Sequence, residues 1–283
     1  MKTRDEITDL LNSHLVHCDL CPRRCGVNRL NDEKGVCGAG SKPIIYQHFL
    51  HLGEEISIVP AFVINFAHCN LNCPDCPERR RWQDPGLNTG NPVHYAHALA
   101  HYLDTHEMPE SIEWIGGEPS LEIRYVIETS WELKDILPDC PPIYLNTNGY
   151  FNPALFDCMK GAIDGFVFDL KACADCAPNL CGARDYWPFV TGNIFKAIDD
   201  FGAQMVIIRH LVVPGHVRCC TIPVIDWCRK YAPQATFNLM TTYRSFGENK
   251  SECKSLPPEE AAIAREYAID AGFESLLVNG DYI

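Results

Sequence analysis

After residue 58 the chain alternates between short apolar runs and longer segments with helical periodicity. The apolar runs are rich in Val, Ile and Phe and are apolar on both faces, which is typical of parallel strands covered by helices. This pattern predicts seven strands, at 61–67, 111–115, 142–146, 165–170, 205–213, 235–240 and 274–278.

The segments between these runs predict helices at 92–106, 120–136, 153–160, 191–202, 219–231 and 257–271. Repeated strand-then-helix units indicate an α/β fold with a parallel sheet, either open or closed into a barrel. Seven strands are one short of the eight that close a full barrel. Two regions are therefore expected: a Cys-rich segment over 1–57 and the α/β region over 58–283.

Polar motifs fall at the predicted carboxyl ends of successive strands, where α/β barrels carry their chemistry. The first strand is followed by Cys69, Cys73 and Cys76, and the second by Gly116-Gly117-Glu118. The third strand ends at Asn146-Thr147-Asn148, the fourth at Asp169-Leu170-Lys171, and Arg209 lies within the fifth.

Three thiolates at C-x3-C-x2-C spacing can hold three irons of a four-iron cluster and leave the fourth iron open. An open iron can bind and reduce a small molecule, whereas a ferredoxin-type site closes all four corners with cysteine. A zinc site completed by His68 is the alternative, since structural zinc takes four tetrahedral ligands.

A second cysteine group, near the N-terminus, consists of Cys18, Cys21, Cys25 and Cys37. Four thiolates can fill a zinc tetrahedron or bind a complete four-iron cluster, and both possibilities stay open. A third group, Cys173, Cys176 and Cys181, follows Lys171 and is either a metal site or a plain loop. Cys219 and Cys220 are interpreted as packed thiols.

The composition limits the classes of partner and the cellular location that we expect for this chain. The net charge is −13 and the chain has no long basic run, which argues against nucleic acid. No apolar stretch is long enough to span a membrane, and the polar start lacks a secretory apolar region. Sixteen cysteines in such a chain indicate metal ligands rather than disulfides, so a cytoplasmic protein is expected.

Taken in order, these motifs resemble the radical S-adenosylmethionine (radical SAM) superfamily, in its branch related to pyruvate formate-lyase activating enzymes. The cysteine loop after the first strand is similar to the superfamily signature, and Gly116-Gly117-Glu118 is similar to its methionine-amine motif. The segment at 18–40 and the run IRHLVVPGH at 208–216 resemble that activase-related branch. Two positions depart from the pattern: Asp75, where an aromatic residue is usual, and Glu78, where many activases have Asn.

The resemblance implies a partial (β/α)6-type barrel and an oxygen-sensitive oxidoreductase. A [4Fe-4S] cluster on Cys69, Cys73 and Cys76 would cleave S-adenosylmethionine reductively, and the 5′-deoxyadenosyl radical would abstract hydrogen from a substrate. A flavodoxin or ferredoxin would be the electron donor. The cofactor-binding residues would be Gly116, Gly117, Glu118, Asn148, Asp169, Lys171 and Arg209.

Structural interpretations accompany these roles. Glu118 could instead cap the helix that follows it. Asp169 and Lys171 lie on the same side of a strand and could form an ion pair. The substrate is either a glycyl-radical enzyme or a small molecule or peptide, and a non-catalytic iron-sulfur electron-transfer or scaffold protein is the alternative from another class.

Overall fold

The computed structural model describes residues 2–79, 90–244 and 255–283. Cys253, and Arg80 and Arg81 of the Arg79–Arg81 run, lie outside the described residues. The chain divides into two compact units. Unit 1 comprises Met1–Leu52, Pro60–Asn70 and Glu78–Gly165, and unit 2 comprises Gly53–Val59, Leu71–Pro77 and Phe166–Ile283.

Unit 1 is built on four strands in chain order. The antiparallel edge strand β1 pairs with β2, and β2, β3 and β4 are parallel. Their bounds are β1 Ile45–His51, β2 Ala61–Phe66, β3 Ser111–Gly116 and β4 Ile143–Thr147. The helices of this unit are α1 Arg4–Val16, α2 Pro92–Thr105, α3 Ile123–Ile136 and the short α4 Phe156–Met159.

The core of unit 1 is aromatic. Trp114 of β3 is fully buried, stacks on Phe66 of β2 and donates its indole N–H to Ser130 Oγ at 3.0 Å. Tyr95 of α2 and Tyr125 of α3 pack against the same indole ring. All six residues of β2 are buried, which explains why its sequence is apolar at every position except Asn65.

Unit 2 continues the strand–helix alternation with β5 Gly165–Asp169, β6 Val206–Leu211, β7 Thr236–Met240 and β8 Leu276–Val278. These strands pair in parallel, and β9 Asp281–Tyr282 adds an antiparallel edge. The helices are α5 Ala177–Leu180, α6 Tyr186–Phe201, α7 Ile222–Tyr231 and α8 Pro258–Ala271, with a π-helical turn at Val217–Thr221 before α7.

The predicted α/β class is confirmed, as a mostly parallel sheet that is not closed. Each of the seven predicted strands corresponds to one of the strands β2–β8. Two strands and two helices were not predicted: β1, β9, α1 and the short α5. The predicted division at residue 57 stays a prediction. No helix among the described residues has the length and hydropathy that a membrane span requires.

A buried ion pair attaches the N-terminal cysteine segment to the polypeptide that follows β3. Arg29 donates to the Glu122 carboxylate at 3.0 Å and to the Gly40 carbonyl at 2.8 Å, and it also bonds the Leu121 carbonyl. Both ion-pair partners are nearly inaccessible to solvent. Such a pair costs much to break because the remaining charge would be buried without compensation.

Candidate functional site

The cysteine loop starts directly after β2, and its first thiol has a defined partner. The side-chain amide of Asn148, just beyond β4, donates to Cys69 Sγ at 3.4 Å and to Asn70 Oδ1 at 2.9 Å. The Asn148 Oδ1 atom accepts from the backbone N–H of Tyr150 at 2.8 Å, which fixes the orientation of the amide. Unit 1 therefore brings Cys69 and Asn148 together, as the motif order predicts.

Asn70 is a residue that sequence reasoning missed. It is 1% exposed and donates its amide to the Tyr150 carbonyl at 2.6 Å. Its own carbonyl accepts from Arg23 Nε at 3.1 Å, and its side chain hydrogen-bonds Cys21. Asn70 thus links the N-terminal cysteine segment to the cysteine loop. The only sequence signal was its position immediately after Cys69.

The two glycines after β3 allow the chain to pass very close to the start of the cysteine loop. Gly116 has φ +115°, and the N–H of Gly117 donates to the Phe66 carbonyl at 2.7 Å. A Cβ atom on Gly117 would lie 1.9 Å from the His68 carbonyl oxygen. The glycines are therefore needed for packing against 66–68, whatever they do toward a ligand.

Glu118 is fully buried, and both of its carboxylate oxygens accept hydrogen bonds. Oε1 accepts from Ser120 N–H at 3.0 Å and from Thr147 Oγ1 at 2.7 Å, and Oε2 accepts from Asn148 N–H at 2.8 Å. Burial raises the pKa of Glu118, and these donors offset part of that rise. The capping alternative is thus present in the structure, and contact with a ligand stays a prediction.

The N-terminal thiols are free cysteines within unit 1. Burial, with smaller contributions from the neighbouring Cys37 and Cys18, raises the pKa of Cys21 to about 11. Burial also raises the pKa of Cys18 and Cys37, whereas the Arg29 guanidinium lowers both. The four thiols therefore share one electrostatic environment, and Arg29 is a nearby cation that the sequence did not single out.

In unit 2 the second cysteine of the motif, Cys73, contacts a residue far away in sequence. The thiol of Cys181 hydrogen-bonds Cys73, and this contact, together with burial, raises the pKa of Cys181 strongly. The backbone supports the same approach, since Asn72 N–H donates to the Cys181 carbonyl at 3.0 Å. Cys181 is therefore a neighbour of the cysteine motif, and it belongs to neither of the close donor sets that the other thiols of its predicted group form.

Both departures from the superfamily pattern are held by tyrosines. In unit 2, Tyr243 donates its hydroxyl to Asp75 at 2.6 Å. In unit 1, Tyr46 bonds the Glu78 carboxylate. These positions are thus part of specific hydrogen-bonded contacts rather than unconstrained loop residues.

The predicted residues of β5 and β6 form one charged network in unit 2. Asp169 accepts from Lys171 Nζ at 2.9 Å and from Arg209 Nε at 2.6 Å. Arg209 also pairs with Glu54 and, at 3.5 Å, with Glu55. Although burial opposes it, the two cations hold the pKa of Asp169 well below its usual range. The ion-pair alternative is present here, and contact of these residues with a ligand stays a prediction.

Glu54 and Glu55 were not identified from the sequence. Glu55 is 1% exposed and accepts from Asn238 Nδ2 at 2.8 Å, while burial raises its pKa. His210, beside Arg209, bonds the Leu170 carbonyl and Thr221 Oγ1, and burial lowers its pKa to about 4. A neutral, fully hydrogen-bonded His210 is a structural residue at neutral pH.

The third cysteine group is composed differently from the prediction. Among the described residues, the donor sets whose ligand atoms lie within 4.8 Å of one another are Cys173, Cys176 and Cys220, and Cys176, His216 and Cys219. Cys219 and Cys220 therefore lie with Cys173 and Cys176, and Cys181 does not. Adjacency in sequence suggested Cys181, but the fold brings the start of α7 to this loop instead.

Comparisons with known proteins place this arrangement in context. No family model matches the chain. The chain is 31% identical over 241 residues to the uncharacterized protein MJ0674 of Methanocaldococcus jannaschii, an alignment that covers 81% of this chain and 66% of that protein. The chain thus spans just under two thirds of this relative.

Among solved structures, the chain is similar to a radical SAM methyltransferase from Sphaerobacter thermophilus, with a TM-score of 0.57 and 12% identity. The match covers 78% of this chain and 66% of the methyltransferase. QueE from Escherichia coli has a TM-score of 0.48 and 15% identity, covering 84% of this chain and 94% of QueE. The likeness to the methyltransferase shows that this chain shares its fold.

We predict that Glu118→Gln lowers the free energy of unfolding by about 1–3 kcal/mol without any ligand, because the new amide cannot accept from all three donors. Urea denaturation of cluster-free protein measures this loss. The exposed Glu110→Gln is the control and should change stability by less than about 0.5 kcal/mol. Unchanged stability of Glu118→Gln would contradict the structural role seen here.

We predict that Arg209→Met lowers the free energy of unfolding by about 3–5 kcal/mol at neutral pH, because it leaves buried carboxylates uncompensated. The pKa values of Asp169 and Glu55 should then rise, so the folded variant binds protons that its unfolded chain does not. Its deficit relative to the parent should therefore shrink as pH falls from about 7 to 5. The free energy of unfolding is measured across that pH range, with the exposed Arg265→Met as control. A stability deficit of Arg209→Met that does not change with pH would refute the network.

Proposed function

We propose that this chain is a radical SAM enzyme whose thiols Cys69, Cys73 and Cys76 hold a [4Fe-4S] cluster. The observation that carries the proposal is the position of the motif. Its first cysteine directly follows a buried parallel strand and contacts Asn148 at the end of β4, while Gly117 packs on His68. The fold shared with the methyltransferase supports the same conclusion.

The donor set fits such a group. The three cysteines are half-buried thiols, not disulfides, in a loop that follows a strand end. Asn148 donates to Cys69 Sγ and Cys181 contacts Cys73, and hydrogen bonds to cluster sulfurs tune reduction potential. Together, a bound cluster and S-adenosylmethionine supply a one-electron cleavage that yields methionine and a 5′-deoxyadenosyl radical.

This chain's own residues would bind and orient the cofactor. In unit 1 we assign this role to Gly116, Gly117, Glu118 and Asn148, which lie at the ends of β3 and β4. In unit 2, Lys171 and Arg209 are the cations suited to a carboxylate, and Asp169 is suited to a hydroxyl. Because Asp169 already pairs with both cations, binding of a carboxylate there requires these side chains to rearrange.

We infer that the N-terminal thiols hold a second metal centre, and we favour a four-iron cluster over zinc. The sulfurs of a zinc tetrahedron would lie about 3.8 Å apart, from a Zn–S bond of about 2.3 Å. Within the described chain, Cys18, Cys21, Cys25 and Cys37 do not form a set within 4.8 Å. Wider spacing suits a polynuclear cluster, which would accept or relay electrons.

For the substrate, we propose hydrogen abstraction from a backbone glycine of a partner enzyme, as the activase-like motif order suggests. Radical modification of a small molecule or peptide, aided by the second cluster, is the competing function. A non-catalytic electron-transfer protein is a third possibility. A flavodoxin or ferredoxin is the proposed donor, in the cytoplasm.

The first test is anaerobic incubation of reconstituted protein with S-adenosylmethionine and a strong reductant. We expect 5′-deoxyadenosine from the parent, and only background from a variant with Cys69, Cys73 and Cys76 changed to Ala. Iron and labile sulfide counted in the same samples should give about eight irons for two clusters, against about four if the N-terminal site holds zinc.

A matched control changes three other cysteines, Cys140, Cys158 and Cys228, to Ala, and this variant should keep its activity. These thiols lie outside every metal site proposed here. Cleavage that survives loss of the motif thiols, or that disappears equally in the control, would contradict the cluster assignment. A cluster-loaded parent that gives no 5′-deoxyadenosine even with substrates present would favour the electron-transfer alternative.

The second test separates the substrate classes. Active protein is mixed with candidate glycyl-radical enzymes, and a glycine-centred radical is sought by electron paramagnetic resonance. We expect the signal with a partner that has an intact glycine loop, and no signal when that glycine is changed to Ala. Cleavage without a glycine radical in any partner would favour the small-molecule or peptide substrate.

A further inference from the structure

Two segments of unit 2 bring together four thiols and an imidazole that are not part of the three-cysteine motif. The first is the loop after β5, which carries Cys173 and Cys176, and the second is the turn before α7, which carries His216, Cys219 and Cys220. Cys176 and Cys219 have their Sγ atoms 3.9 Å apart. Cys173 Sγ lies 3.2 Å from the Cys219 carbonyl, and Cys173 N–H donates to Cys220 Sγ at 3.2 Å.

Three of these donors are close enough together for a single ion, and a fourth lies beside one of them. A Zn–S bond of about 2.3 Å places neighbouring sulfurs about 3.8 Å apart. Cys173, Cys176 and Cys220 are mutually within 4.8 Å, and Cys219 adds a fourth sulfur at 3.9 Å from Cys176. The C-x2-C spacing of the first pair is a frequent half of a zinc site.

Burial favours a closed structural site rather than an open catalytic one. Cys173, Cys176 and Cys220 are buried, and Cys219 is exposed. His216 Nδ1 lies 3.5 Å from Cys219 Sγ, where its ring can hydrogen-bond the exposed sulfur. Cys173, Cys176 and Cys220 form one compact set, and Cys219 belongs to a second set that shares Cys176.

We propose that Cys173, Cys176, Cys219 and Cys220 form a closed structural zinc site, with His216 hydrogen-bonded to the Cys219 sulfur. All four cysteines bind as thiolates, so loading the site releases their protons to solvent. The ion ties the loop that begins at Lys171 to the start of α7. The site is independent of S-adenosylmethionine chemistry.

The test is alkylation of full-length protein under reducing, anaerobic conditions, with and without Zn²⁺, followed by mapping of the labelled peptides. We expect Zn²⁺ to protect all four cysteines, most visibly the exposed Cys219, and a chelator to restore labelling. The half-buried Cys140 lies in unit 1 and should label equally in both states. Equal labelling of Cys219 with and without Zn²⁺ would overturn the site.

Variants locate the ligands. Zinc content should fall by about one equivalent in Cys176→Ser and in Cys220→Ser, and stay at the parent level in Cys228→Ser, a buried thiol of α7. His216→Ala should keep the zinc but weaken its affinity by about 10–100-fold, as expected when a group supporting a ligand is lost. Retention of zinc in Cys219→Ser together with its loss in His216→Ala would overturn the ligand assignment.

Two other results would also overturn the proposal: iron and sulfide bound by these four cysteines, or a disulfide between Cys176 and Cys219 that persists in the presence of reductant. Neither measurement requires the cysteine motif to be loaded or active. Failure of the zinc site and failure of S-adenosylmethionine cleavage are therefore distinguishable.

Discussion

The carboxylate of Glu118 is the constraint on which the arrangement of unit 1 depends. It is inaccessible to solvent, yet each of its oxygens is hydrogen-bonded, so the cost of burial is offset by donors from the ends of β3 and β4. Because Asn148 donates its backbone N–H to Glu118, its side-chain amide is directed to Cys69. The glycines before Glu118 fix the other side of the loop through contact with His68.

In unit 2 the cost of burying carboxylates is offset by cations rather than by neutral hydrogen-bond donors. Three carboxylates, Asp169, Glu54 and Glu55, surround the Arg209 guanidinium, and Lys171 adds a second cation. Negative groups outnumber positive ones, so a ligand carboxylate would have to replace one of these protein carboxylates beside the cations. Neutralisation of Glu55, whose pKa is raised by burial, would balance it.

The strand–helix alternation was readable from the sequence because strands buried on both faces produce unbroken apolar runs. The edge strand β1 was not, since several of its side chains are exposed and its sequence lacks a continuous apolar run. Helix α1 had a readable signal in the Thr3–Glu6 capping box, which was not used. Motif order identified the candidate residues of each strand end.

The contacts of those residues were not readable, because they depend on distant parts of the chain. Cys181 was grouped with Cys173 by proximity in sequence, but its thiol contacts Cys73. Asn70 had no distinguishing pattern, and its importance comes from its contacts with Asn148, Tyr150, Cys21 and Arg23. The role of Glu54 and Glu55 depends on their contacts with Arg209 of β6, which the sequence alone does not reveal.

The π-helical turn at Val217–Thr221 has a consequence for how α7 begins. A π-turn holds one residue more than an α-turn and is normally the less stable of the two. Here the extra residue sets the angular positions of the adjacent Cys219 and Cys220 ahead of the helix. A one-residue deletion would restore regular helical winding and rotate one sulfur away from the others. The register of α7 and the proposed ion site would therefore depend on the same residue.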